Sequence, residues 1–180
     1  ALAAGTAYVA PDDHRLDDFS PYGPVTHDYG ATWHDAGPGL PAGHYVAAVR
    51  ADPVKSGLLY AGTDEGVRVS FDDGGHWQSL QQNLPNALAN DLLVHGDDLV
   101  VATQGRAIWV LDGLTPLRQM TPALAAAPAQ LFTPAQAIRT RYNNNHDTPL
   151  PPETPMGANP PEGAIIDYWL GTAPSAPVTL

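Results

Sequence analysis

The chain has 180 residues and a formal net charge of −11, with Lys55 as its single lysine. That balance disfavours nucleic acid and anionic membrane surfaces as partners. Cysteine is absent, which excludes disulfides and Cys-ligated metals, and there is no run of roughly 18 apolar residues to insert into a bilayer.

Three units of short strand-like runs follow one another. In the first, residues 6–10 read as a strand and residues 11–21 as an insertion rich in Asp and Pro. Residues 22–26 then lead into a turn, and Trp33 begins the exit strand. The second unit is the most regular. Strands are expected at residues 45–49, 58–61, 66–70 and 77–80, with a turn over 51–57. In the third, residues 91–94, 99–102 and 107–111 match the first three strands of that pattern. Its fourth strand is missing, as is common in a terminal repeat, and would come from elsewhere in the chain.

After Leu117 the composition changes. Residues 120–128 are rich in Ala and Pro and read as a linker. Residues 129–132 and 137–141 suggest a short strand pair, and residues 142–163 an exposed loop with Asn143, Asn144, Asn145 and many prolines. Residues 163–170 are apolar and aromatic, and residues 177–180 start another strand. The chain starts at Ala1 without Met and stops inside a strand-like run, so it reads as a piece of a longer protein.

One pattern occurs twice, as [S/T]-x-D-x-G-x-x-W. The first copy is Thr26, Asp28, Gly30 and Trp33; the second is Ser70, Asp72, Gly74 and Trp77. Every matched position is displaced by 44 residues, as from Asp28 to Asp72. A repeat of about 40–50 residues built of strands points to propeller blades. Each copy lies between two strands, so it is a hairpin turn. The Asp is expected to accept hydrogen bonds from backbone N–H groups one or two residues on, the Gly to supply a positive φ, and the Trp to fold over the hairpin. Asp28 and Asp72 are thus structural acceptors. In the third unit Asp112 lies near the repeat position, but Leu114 stands where the turn needs Gly.

These residues resemble the Asp-box, or BNR repeat, of sialidases, xyloglucanase-type glycoside hydrolases and sortilin (VPS10) propellers. Residues 11–19, 59–63, 94–99 and 108–112 are similar to the C-terminal blades of bacterial glycosyl hydrolase-like or sortilin-like proteins. The fold expected is all-β. Residues 1–118 would be C-terminal blades of a β-propeller, each a four-stranded antiparallel meander with an Asp-box hairpin. Residues 119–162 would be a linker with short strands, and residues 163–180 the first strands of a β-sandwich. The resemblance also implies a secreted or periplasmic protein that binds glycan or polypeptide and carries no cofactor.

In that family the boxes mark the face away from the ligand. The resemblance therefore directs attention to the loops between second and third strands and to the connections between blades, residues 39–44 and 83–90. Those loops hold His14, Arg15, Asp17 and Asp18 in the first unit, Asp64 and Glu65 in the second, and Gln104 and Arg106 in the third. A glycosidase needs two carboxyls about 5 Å apart for retention or about 6.5–9.5 Å for inversion. Asp17 or Asp18 could supply one and Asp64 or Glu65 the other. The alternative is that Arg15 pairs with Asp17 or Asp18 to fold the loop. Arg106 either grips a ligand carboxylate or hydroxyl, or pins the wall by pairing with an Asp. Only Arg15, Arg106 and Arg50 are candidates for the channel, which argues against a sialidase arginine cluster. The seven histidines lack metal-ligand spacing, so no metal site is expected. Two functions stay open: a glycan hydrolase, and a non-catalytic propeller that binds glycan or polypeptide.

Overall fold

A computed structural model describes residues 3–11, 13–37, 39–138, 157, 161 and 163–179. The fold is all-β and antiparallel, with few and short helices. The chain divides into two compact units, Ala1–Thr121 and Pro122–Leu180. Among the described residues no helix is long and apolar enough to cross a membrane.

The first unit contains three open sheets in which strand order follows chain order. Strands β1 (Ala7–Tyr8), β2 (Pro24–Thr26) and β3 (His34–Asp35) form the first. A single-turn 3-10 helix, His14–Leu16, lies in the β1–β2 connection. Strands β4 (Val46–Ala51), β5 (Leu59–Thr63), β6 (Gly66–Ser70) and β7 (Gln78–Ser79) form the second, a four-stranded meander as expected. Strands β8 (Ala89–His95), β9 (Asp98–Thr103) and β10 (Ile108–Leu111) form the third. The first strands of successive sheets are neighbours: β1 lies against β4 and β4 against β8. The register of β4 on β5 shifts between Val46 and Ala48, and that of β8 on β9 between Ala89 and Asp91. A bulge thus recurs at the same place in two successive sheets.

Packing explains why β5 is buried along its whole length. Side chains alternate across a strand. Tyr60 therefore enters the apolar cluster shared with the third sheet, beside Leu92, Leu99 and Val101. Its neighbour Ala61 enters the opposite cluster with Leu40 and Val46, against which Ala10 and Trp77 pack. Gly62 is small for a reason, since a Cβ there would stand 2.5 Å from the Ala89 carbonyl oxygen of the next sheet.

The third sheet ends differently from the other two. Gly113 takes the positive φ (76°), and Leu114 is fully buried in the main cluster. The chain then enters α1 (Thr115–Gln119), so a helix replaces the box turn. In the second unit, the stretch 120–128 expected to be a linker carries α2 (Pro122–Ala125). The strand pairing expected there is also corrected: among the described residues β11 (Ala129–Leu131) pairs with β12 (Tyr168–Leu170). Ala137 and Ile138 are in no strand, and Arg139 to Arg141 lie outside the described residues. Residues 177–179 form no strand, and Leu180 lies outside the described residues. So does most of the loop expected at 142–163, with Asn143, Asn144, Asn145 and His146.

Both box turns share one hydrogen-bond pattern. The Thr26 hydroxyl donates to Asp28 at 2.8 Å and accepts from Gly30 N–H at 2.9 Å. Ser70 does the same with Asp72 and Gly74, at 2.9 Å each. The Asp carboxylates accept the N–H four residues on, not one or two: Thr32 for Asp28 and His76 for Asp72, each at 2.8 Å. The reason is that two consecutive residues turn left-handed, Tyr29 and Gly30 in one copy and Asp73 and Gly74 in the other, which coils the chain around the carboxylate. Trp33 folds back on its own turn, donating to Gly30 O at 3.1 Å, whereas Trp77 donates to Ala36 O at 2.8 Å and so ties the second sheet to the first.

These bonds hold Asp28 ionised. Thr32, through its hydroxyl and its N–H, and Thr26 draw its pKa from 3.8 down to about 2. A carboxylate depressed in the folded state contributes stability that is complete above its unfolded pKa and fades as pH falls through the folded one. The contribution of Asp28 should therefore be intact above about pH 4 and vanish towards about pH 2. In melting curves recorded across that window, Asp28→Asn should show a flatter acid limb than the unaltered protein. Parallel limbs would contradict the assignment.

Candidate functional site

The β5–β6 turn and the second box sit at opposite ends of their sheet, as the strand order requires. Glu65 immediately precedes β6 and Asp72 follows its last residue, so the two acids stand at opposite ends of one strand. The end carrying Glu65 is the one on which the candidate residues were expected to meet.

There, Asp64 and Glu65 form a two-residue hairpin turn between Thr63 and Gly66, which pair across it. The Thr63 hydroxyl donates to Gly66 O at 3.1 Å and accepts from Glu65 N–H at 3.3 Å. Gln81 braces the same turn: its carbonyl accepts from Val67 N–H, and its amide donates to Leu84 O at 2.9 Å and Pro85 O at 3.1 Å. The connection to the third sheet is thereby fastened to the turn.

His44 reaches in from the connection before β4. Its Nδ1 lies 3.2 Å from both oxygens of Asp64, and its Nε2 lies 3.5 Å from Glu65. Arg68 approaches Glu65 from the strand at 3.7 Å. The next residue, Tyr45, stacks on His14 with ring centres 4.6 Å apart and planes at 18°, and Phe19 stands 6.3 Å from it. The β1–β2 connection and the β5–β6 turn thus both meet the β3–β4 connection, His14 at Tyr45 and Asp64 and Glu65 at His44.

The other candidates have different surroundings. Asp17 is exposed and closes the 3-10 helix in a left-handed conformation (φ 63°). Asp18 accepts from Ser20 N–H at 2.9 Å and from the Tyr22 hydroxyl at 2.7 Å. Hydrogen bonding by Ser20 and Tyr22 holds its carboxyl below the usual range. Its carboxylate is thus tied into the fold of the loop. Among the described residues no ion pair joins Arg15 to Asp17 or Asp18, and Asp18 finds hydroxyl and amide donors instead. Arg106 is exposed, and its carbonyl accepts from Trp109 Nε1 at 2.7 Å. Gln104 donates its N–H to Leu88 O. Arg50 bonds Leu92 O at 2.9 Å and pairs with Asp91, stitching β4 to β8.

His44 was the residue that sequence reasoning passed over, although it lies in the connection 39–44. A lone His in a Gly- and Pro-rich stretch carries no ligand spacing. Its meaning comes from the two acids opposite, which are 20 residues away or more. No protein-family model matches the chain, and no curated protein matches it.

Proposed function

We propose that the first unit supplies successive blades of an Asp-box β-propeller and binds a glycan, without hydrolysing it, at the end that carries His44, Asp64 and Glu65. The blade reading is supported by the 44-residue repeat, the recurring bulge, and the adjacency of β1, β4 and β8, as expected of inner strands around an axis. The observation that carries the binding reading is the clamp of His44 between two carboxylates beside the stacked rings of Tyr45 and His14. Carboxylates accept sugar hydroxyls, and aromatic faces pack on sugar rings. Hydrolysis needs one carboxyl kept protonated opposite an ionised partner. Asp18 is instead held ionised by its hydroxyl and amide donors, while Asp64 and Glu65 are adjacent and share one imidazole.

The test is binding of the purified chain to a panel of neutral and acidic glycans by calorimetry, with sugar release measured alongside. Tyr45→Ala and Glu65→Gln should each weaken binding by about tenfold, the equivalent of about 1.4 kcal/mol. No sugar should be released. Binding unchanged in both variants, or binding of polypeptide only, would overturn the glycan reading. Sugar release lost on Glu65→Gln would favour the hydrolase instead.

A further inference from the structure

A cleft of the first unit lies at the other end of the sheets, beside the box turns. It encloses about 280 Å³ and is lined by Thr6, Tyr8, His27, Lys55 and Asp73 among others. That is close to the lower limit of small-molecule sites, about 300–1,000 Å³.

Four of these side chains form a chain of contacts. The Thr6 hydroxyl lies 3.1 Å from His27 Nδ1. His27 Nε2 lies 2.8 Å from Asp73 Oδ2. The other oxygen, Oδ1, accepts the Tyr8 hydroxyl at 2.5 Å. Burial first, then the hydrogen bond to Asp73 and its charge, push the Tyr8 phenol well above its ordinary pKa, so it remains a donor. An ionised carboxylate only accepts. Asp73 therefore places the imidazole proton on Nε2 and leaves Nδ1 as a base facing Thr6.

The box turn does not require these residues. His27 and Asp73 occupy variable positions of the repeat, where the other copy has Phe71 and Tyr29. Both turns close with the same bonds whichever residue is present. We infer that Thr6, His27 and Asp73 are a nucleophile, base and orienting acid, and that the cleft takes a small carboxylic ester. The separations suit the roles, since a general base works at about 2.6–3.2 Å from the proton it removes.

In the first half-reaction Thr6 Oγ1 attacks the ester carbonyl and its proton passes to His27 Nδ1. The carbon–oxygen bond to the alcohol then breaks, and His27 returns that proton to the departing alkoxide. In the second, His27 takes a proton from water, the hydroxide attacks the acyl-threonine, and the acid leaves as Thr6 recovers its proton. Lys55 also lines the cleft, its Nζ donating to Met120 O and, at 3.5 Å, to Leu117 O, and it carries the sign of charge that a developing oxyanion requires.

The probe is p-nitrophenyl acetate with the full chain. A burst of p-nitrophenolate is expected, and peptide mapping of the quenched protein should find acetyl on Thr6. Thr6→Val should abolish the burst and Thr6→Ser should keep it. His27→Gln should slow acylation by about a hundredfold or more, the usual contribution of a base. An unaltered protein without acetyl on Thr6 would overturn the proposal, as would a burst that survives Thr6→Val. Because the mapping is done on the unaltered chain, a variant that fails to fold does not blunt the test.

Discussion

Replacing Asp52 by Ala is expected to lower the unfolding free energy by about 3–5 kcal/mol, the range for removing one partner of a buried ion pair. The Asp52 side chain is wholly buried and that of Arg118 is only 10% exposed. Asp52 Oδ1 accepts Val54 N–H and Lys55 N–H at 2.8 Å each, closing the turn between β4 and β5. Arg118 Nε lies 3.1 and 3.0 Å from the two oxygens, and the Tyr60 hydroxyl donates to Oδ2 at 3.3 Å. From α1 the same guanidinium bonds Asp97 and, at 2.9 Å, Gly96 O. One cation therefore bridges the turns of two successive sheets. Without Asp52 it would keep only the outer turn, with its Nε unpaired in an apolar setting. Arg118→Met should cost less, because the carboxylate retains the Val54, Lys55 and Tyr60 donors. The double variant should lose less than the sum of the two, since each single change already breaks the shared contact. Urea unfolding of the four proteins measures this. A loss below about 1 kcal/mol in Asp52→Ala would contradict it.

Arg118 also shows where sequence reasoning stops. Its position in a helix that replaces the third box turn could not be read from strand periodicity, and its partner is 66 residues away. The features that were legible are local. The box residues predicted two turns correctly, because a hydroxyl, a carboxylate and a glycine at fixed offsets close one loop whatever surrounds it. Strands β5, β6, β9 and β10 were legible because short β-branched and aromatic runs bounded by turn residues have few other uses. Residues 129–132 were read as a strand although Ala129, Gln130 and Leu131 include no β-branched or aromatic residue, and their partner was not legible. A strand edge accepts any extended segment of suitable register, and nothing nearby in the chain favours residues 168–170 over 137–141. The candidate site divides in the same way. Loop position was enough to single out His14, Asp64 and Glu65, which touch the neighbouring residues Tyr45 and His44. The use of Asp18 by Tyr22, four residues on, and of both acids by His44 depends on side-chain geometry that composition does not encode.

The two box glycines provide an internal comparison with unequal outcomes. Gly30 and Gly74 have nearly the same backbone, with φ of 87° and 91°. An added methyl group meets the same left-handed strain in both, about 1–2 kcal/mol. Their surroundings differ. A Cβ on Gly30 would find nothing closer than the Trp33 ring at 3.6 Å, whereas one on Gly74 would stand 2.4 Å from Ala36 Cβ. Ala36 cannot easily yield, because its carbonyl holds Trp77 and its N–H is bound to Gly23 O at 2.8 Å. Overpacking of that kind adds about 1–3 kcal/mol. Gly74→Ala should therefore lower stability by about 2–5 kcal/mol and Gly30→Ala by about 1–2 kcal/mol, as measured by denaturant unfolding. Adding Ala36→Gly to Gly74→Ala removes the methyl in the way and should recover the packing part, leaving a deficit close to that of Gly30→Ala once the cost of the new glycine is measured alone. Equal losses at the two glycines would mean that the second box turn does not bear on the tail of the first sheet. The contact through which one repeat positions the next would then have to be sought among β1, β4 and β8 instead.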